Sequence, residues 1–201
     1  MSSPDVAIID LGASNTASMR FALERLGVTP RMVSTPEQVA EAGRLILPGV
    51  GHAAFVMGRI EALGLAEAIP AFPRPLLGVC LGMQLLYEGT AEGEVACLGL
   101  FPGRVAALRP APDRPVPHMG WNRLHRLAEH PLLEGLPDGA YVYFVHSYAA
   151  GPNGPAIATA DYGGPFAAVA ARGNVMGTQF HPERSGAVGA RILSNFLRLP
   201  A

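Results

Sequence analysis

The chain has 201 residues, enough for a single domain that buries roughly 70 % of the surface its unfolded form would expose. Fifteen basic residues stand against 16 acidic ones and only 15 % of the residues are charged, so no cationic excess exists to collect phosphate backbones, and nucleic acid is excluded as a partner class. No apolar run reaches the roughly 18 residues needed to span a bilayer, and the opening MSSPDVAIID lacks a basic stretch ahead of a long apolar one, so a cytoplasmic protein with no membrane partner is expected.

DVAIID reads as a short buried strand. SNTASMRFALERLG reads as a helix with Ala17, Phe21, Leu23 and Leu26 among its apolar positions and Gly27 to stop it. After a weak strand RMV, the segment TPEQVAEA has Thr35 as N-cap, Pro36 at the first helical position and Gln38 to complete a capping box. RLILP gives a third strand, the loop PGVG follows, and a helical stretch runs from about Ala53 to Leu63. LLGV supplies a fourth strand before a helix starting near Leu81. This alternation implies a parallel sheet covered on both faces. Beyond about Gly89 the segments shorten to RVAAL, VPHMGWN, YVYFVHSY, AIATADY, FAAVAA and NVMGTQF, with turn signals GGP and RGN, and some of these strands should pair antiparallel. The helix AVGARILSNFLRL closes the chain. With no repeat and no boundary, the expectation is one domain over residues 1–201. Its class is α/β, an open mixed and mostly parallel sheet with helices on both faces and added antiparallel strands in the second half.

Chemistry concentrates at three turns. In LLGVCLGMQLL, Cys80 sits where a strand gives way to a helix, flanked by Gly78 and Gly82, which let backbone and helix crowd around a tight turn. A helix start there favours the reactive thiolate. A thiolate nucleophile needs a base and a group that orients the base. QFHPERS offers His181 at the end of the last strand, with Glu183 two residues on and Pro182 stiffening the link, so that the carboxylate can hold one imidazole nitrogen while the other faces the thiol. An oxyanion needs N–H donors, and the PGVG loop places Gly49, Val50 and Gly51 just past a strand end. Cys97 has neither helix start nor nearby base and is expected to pack. His146 reads as a core or pocket-wall residue, His118 and Trp121 as lining an exit or packing at the sheet edge, and His52, His125 and His130 as solvated. Two cysteines in a reducing compartment are expected to stay unpaired, and nothing in the spacing calls for a metal or another cofactor.

With these pieces together, GVCLGMQ and QFHPE are similar to the two signature segments of the class I glutamine amidotransferases, which hydrolyse glutamine with a Cys, His, Glu triad on a flavodoxin-like sheet. PGVG, PHMGWN and YFVHSY bring the likeness to the branch of glutaminase subunits of imidazole glycerol phosphate synthases. The resemblance implies Cys80 as nucleophile, His181 as acid and base, Glu183 as its orienting partner, and Gly49, Val50 and Gly51 at the oxyanion site. It also implies that Gln84 holds the amino-acid end of L-glutamine, that Ser147 and Tyr148 line the same pocket through their backbones, and that Glu92 belongs to the substrate-binding set. The implied partner is a separate cyclase subunit, a β/α barrel, in a heterodimer, which takes the ammonia through a tunnel in histidine biosynthesis. The PGVG loop is expected to move when that partner binds. Leu11 and Ser14 in the opening Asp10 to Asn15, and Arg184 in place of a lysine, depart from the family pattern where the partner is expected. A glutaminase subunit serving another synthase (purine, pyridoxal phosphate or anthranilate), a stand-alone cysteine hydrolase of γ-glutamyl compounds, and a non-catalytic module on the same fold are the competing functions.

Overall fold

In the computed structural model, residues 5–12, 16–49 and 51–200 are described. The first part of the chain alternates as its pattern requires: β1 (Val6–Ile9), α1 (Ala17–Arg25), β2 (Arg31–Val33), α2 (Pro36–Glu41), β3 (Arg44–Leu47), α3 (Ala53–Ala62), α4 (Leu65–Ala68) and β4 (Leu76–Val79). A single turn, α5 (Leu81–Gln84), then leads to β5 (Tyr87–Thr90), β6 (Val95–Ala96), β7 (Phe101–Ala107), β8 (His118–Arg126), β9 (Ala140–His146), β10 (Tyr148–Ala150), β11 (Ala156–Asp161), β12 (Pro165–Arg172) and β13 (Val175–Thr178). The last helix is α6 (Gly186–Arg198), and 3₁₀ turns occupy Pro131–Leu133 and Pro182–Arg184. No described helix is long and apolar enough to cross a membrane.

One sheet runs in the order β2-β1-β3-β4-β13-β12-β11-β8-β9. Its first five strands are parallel, and from β12 onward each pairs antiparallel with its neighbour. Apart from the edge strand β2, whose Arg31 and Met32 are exposed, the parallel strands are buried on both faces, and their alternation sorts side chains into two layers. Val6, Ile8, Ile46, Leu77 and Met176 meet Met19 and Leu23 of α1 and Ile192 and Phe196 of α6 on one side. Ala7, Ile9, Leu45, Leu47 and Leu76 meet Val39, Val56, Ile60 and Leu65 of α2, α3 and α4 on the other. Each large apolar side chain so buried contributes about 1.5–3 kcal/mol of transfer free energy, which is why these helices pack although most are short.

Several elements differ from the sequence expectation. The inner face of α1 is Met19, Ala22 and Leu23, while Phe21 is exposed under the Arg20 guanidinium, 5.0 Å from its ring centre. The expected start of that helix, at Ser14 and Asn15, lies outside the described residues. Thr35 caps α2 by accepting from the Gln38 N–H, but the Gln38 side chain reaches one residue further back, to the Ser34 N–H at 2.9 Å. The helix after Cys80 ends at Gln84 because the chain turns at once into β5, a strand with no strong local signal. YVYFVHSY, which looks like one strand, is divided: β9 edges the large sheet and β10 joins a second sheet of order β10-β7-β5-β6, with Ser147 as the joint.

Candidate active site

Cys80 follows β4 at the carboxyl end of the parallel strands, where the main chain is strained to φ 54° and ψ −112°. A non-glycine residue with positive φ and this ψ persists only where its surroundings hold it. Here the Cys80 N–H donates to Thr178 O at 2.7 Å, and three glycines allow backbone to lie on backbone. A Cβ on Gly82 would stand 2.0 Å from Leu47 O, one on Gly49 would stand 2.0 Å from Gly82 N, and one on Gly78 would stand 2.7 Å from Gly82 O. The glycines around Cys80 therefore do more than tighten a turn: they let Gly49 press against the backbone of Leu81 and Gly82.

A cavity of about 340 Å³ opens at this turn. Of the residues singled out in the sequence, Gly49, Gly51, Cys80, Gln84, Glu92, His146, Ser147, Tyr148 and His181 line it, as do Leu81, Pro117 and Val145. Val50 lies outside the described residues. Gly51 has φ +102°, a conformation that side-chain-bearing residues rarely adopt. Glu92 anchors the far end of the same loop, accepting from the Ala53 N–H at 2.8 Å at the start of α3. Leu81 is the first residue of α5, so its N–H has no partner within that helix, and the residue lines the cavity next to Cys80.

His181 and Glu183 come together behind the thiol. The imidazole Nδ1 donates to Glu183 Oε1 at 2.8 Å, and the side chains of both are only 9 % exposed. The Ser185 hydroxyl donates to His181 O at 2.7 Å and the His181 N–H donates to Tyr143 O at 3.0 Å, which fix the backbone that carries the ring. Burial disfavours a charged ring here, but the neighbouring Cys80 and the hydrogen-bonded Glu183 carboxylate outweigh it and push the His181 pKa up to about 10. The other carboxylate oxygen, Oε2, is buried without a hydrogen-bond partner among the described residues, which leaves the imidazole as the principal recipient of the carboxylate's stabilisation.

The opposite wall is built differently. Pairing of β8 with β9 puts His118 opposite His146, and their rings meet at 3.0 Å between His118 Nδ1 and His146 Nε2. Tyr148 O accepts from His146 Nδ1 at 2.8 Å, and Asn122 Nδ2 lies 3.4 Å from His118 Nε2 while donating to Asp161 O at 2.8 Å. A carbonyl only accepts, so each ring in this chain has one defined tautomer and stays neutral. Burial pushes both pKa values down to about 4. His118 also stacks on Tyr162 at 4.0 Å between ring centres. His118 therefore supports the pocket wall from behind and packs beneath the sheet edge, whereas Trp121 is exposed on that edge.

The remaining candidates separate cleanly. Cys97 is partly buried in the second apolar layer, where burial drives its thiol up to about 11, and both cysteines are free. His52 Nδ1 accepts from Ala54 N–H at the start of α3, and His130, expected in solvent, is partly buried and accepts from Leu132 N–H to begin a 3₁₀ turn. His125 is exposed beside Asp138. Leu11, expected at a partner surface, points into the core, while Arg184 is exposed, and Ser14 lies outside the described residues. Gln179, which lies within the quoted segment QFHPERS but received no role there, is fully buried against Cys80 and Gln84. Its only sequence signal is a carboxamide in an otherwise apolar strand end.

Residues 7–199 match the profile of a family described as Glutamine amidotransferase class-I. The chain is 53 % identical over 197 residues to imidazole glycerol phosphate synthase subunit HisH of Xylella fastidiosa, covering 98 % of each chain, and 52 % identical over 195 residues to the protein of that name in Xanthomonas oryzae pv. oryzae, covering 97 % of this chain and 98 % of the relative. Among solved structures it is similar to a glutamine amidotransferase with a TM-score of 0.74 at 21 % identity over 96 % of both chains. It is also similar to a glutamine amidotransferase from Thermotoga maritima, with a TM-score of 0.64 at 17 % identity over 98 % of this chain and 83 % of that one. At those identities the solved structures speak for the fold alone.

Proposed function

The chain belongs to the class I glutamine amidotransferases, and on that premise we propose how its residues divide the work. It acts as the glutaminase subunit of an imidazole glycerol phosphate synthase, hydrolysing L-glutamine to glutamate and ammonia. Cys80 Sγ attacks the side-chain amide carbon, and the oxyanion that forms is held by N–H groups of the Gly49 to Gly51 loop and of Leu81. Protonated His181 gives its proton to the departing nitrogen, the C–N bond breaks, and a thioester on Cys80 remains. His181 then takes a proton from water, whose oxygen attacks the thioester and releases glutamate and the thiolate. Glu183 keeps the ring oriented and supports its charge. Gln84 donates one amide proton to Tyr148 O at 2.8 Å and another to Gln179 Oε1 at 2.9 Å, so its own oxygen is the group left for the α-ammonium of glutamine, with Glu92, Ser147 and Tyr148 completing that end of the pocket.

The observation that carries this assignment is the convergence of a strained cysteine and a carboxylate-paired imidazole on one cavity, from positions about 100 residues apart in the chain. The two apolar layers share one sheet, which supports a single amidotransferase domain. For the partner we propose a separate cyclase barrel forming a heterodimer on the β8 and β9 face. Met119, Trp121 and Tyr141 are exposed there at 63 %, 55 % and 49 %, and Val145, opposite Met119, also lines the cavity. Ammonia leaving beside Val145 would emerge under that partner. The setting we propose is the cytoplasm, which suits two free thiols. Partner binding completes the oxyanion site by moving the loop around Gly51.

The test is Cys80→Ala in the assembled synthase. Glutamine-dependent synthesis should disappear while synthesis from added ammonia continues. Loss of both would make the cysteine a structural residue and would remove the assignment.

A further inference from the structure

Gln179 follows β13 two residues before His181, and its N–H donates to Ala168 O at 2.9 Å, which fixes the main chain. Its carboxamide lies between Gln84 and Cys80: Oε1 accepts from Gln84 Nε2 at 2.9 Å, and Nε2 stands 3.8 Å from Cys80 Sγ. The chain of bonds sets which way this amide faces. Tyr148 O accepts from His146 and can only accept, so Gln84 has to present its NH₂ group there. The second proton of that NH₂ needs an oxygen, which is Oε1 of Gln179, and the NH₂ of Gln179 is thereby turned to the sulfur.

We propose that Gln179 is a catalytic residue that donates an N–H to the Cys80 thiolate and, through the same carboxamide, ties the substrate-holding Gln84 to the nucleophile. It rests on the assignment of Cys80 as nucleophile. A thiol accepts a hydrogen bond weakly and a thiolate strongly, so a donor in this place favours the charged sulfur. Being neutral, the amide does this without competing with His181 for the proton. As the thioester forms the sulfur loses its charge and the bond weakens. When water attacks and the C–S bond breaks with its electron pair on sulfur, the donor is again in place for the leaving thiolate. Satisfying Gln84 asks only for an acceptor oxygen at this fully buried site, whereas the amide also aims an N–H donor at the sulfur, which that structural role does not require.

The test compares Gln179→Leu and Gln179→Glu in the full chain assembled with its partner subunit. The glutamate keeps an acceptor for Gln84 and nearly the parent volume, so it remains informative even if the leucine variant folds poorly. The pH dependence of iodoacetamide alkylation is followed on the Cys80 peptide by mass spectrometry, beside kcat and KM for glutamine. The alkylation midpoint should rise by about one pH unit in Gln179→Leu and further in Gln179→Glu, with about tenfold less thiolate per unit below the midpoint. In Gln179→Glu, kcat should fall about 10–100-fold while KM changes less than about threefold. An unmoved midpoint in both variants, or a Gln179→Glu protein whose only defect is a raised KM, would overturn the proposal and leave Gln179 as a prop for Gln84. Hydrolysis that survives complete alkylation of Cys80 is a separate result, which would overturn the nucleophile assignment and this proposal with it.

Discussion

Two histidines line one cavity and are driven to opposite protonation states. His181, backed by Glu183 and facing Cys80, holds its proton to about pH 10, whereas His146, backed by His118 and bonded to a carbonyl, is neutral down to about pH 4. The residue type, the cavity and the depth of burial are shared. What differs is the partners: Cys80 and a carboxylate together offset the desolvation of an imidazolium, and an imidazole with a carbonyl does not. The character of the site thus belongs to pairs of side chains, one charged wall to which we assign proton transfer and one neutral wall to which we assign the holding of substrate. Gln84 joins them, since it bonds the same Tyr148 carbonyl as His146 and the amide of Gln179 that faces Cys80.

The largest effect should come from exchanging the two rings for the same neutral residue. His181→Gln is expected to lower glutaminase kcat on the order of 1,000-fold or more, while His146→Gln lowers it by less than about tenfold. Steady-state glutamate release in the assembled synthase checks this, and equal losses would end the distinction. Glu183→Gln should cost on the order of 100-fold, with the His181 imidazole pKa falling from about 10 but still held up by the neighbouring Cys80. Side-chain nitrogen NMR of the imidazoles would register that shift, and His146 should stay where it is.

A smaller effect is expected from Gly189→Ala. A Cβ there would stand 1.9 Å from Pro182 O, so α6 has to push the segment carrying His181 and Glu183. The cost should be about 1–3 kcal/mol in stability by chemical denaturation, with a drop of about tenfold in kcat and no change at the His146 wall. The mildest perturbation is pH itself, and here the signs are opposite. His181 has a raised pKa, so its contribution to stability is complete below about pH 6.5 and is lost as pH rises through about 10. His118 and His146 have lowered values, so theirs is complete above about pH 6.5 and declines as pH falls toward about 4, by up to about 1.4 kcal/mol per pH unit for each ring. Melting temperature followed from pH 4 to 8 in His118→Phe should show a shallower acid limb than the parent.

Much of this is legible before folding is considered. The β-α alternation and the Cys80 turn follow from contiguous residues, as does the His181 and Glu183 pair, because period-two and helical patterns, a strand-end cysteine between glycines and a His-Pro-Glu run carry their own local chemistry. Gln84, Ser147 and Tyr148 are reached only through family likeness, since nothing local distinguishes a pocket carbonyl from any other. Phe21 falls on the exposed side of α1 because helix rotation is set by what the sheet offers, and β9 and β10 part at Ser147 because two sheets compete for one extended segment. His118 and His146 lie 28 residues apart and meet only through the register of β8 on β9. Gln179 meets Cys80 and Gln84 only because β13 runs beside β4.

By itself the sequence determined which groups were available and where each local element would bend, because propensity, alternation and turn chemistry act over a few residues. Tertiary structure alone decided which imidazole is charged, which amide faces the sulfur and how closely Gly49 lies against the backbone of Leu81 and Gly82. Those depend on burial and on partners brought together across the sheet, and electrostatic energies inside a protein are set by distance and desolvation between groups that the order of residues does not state.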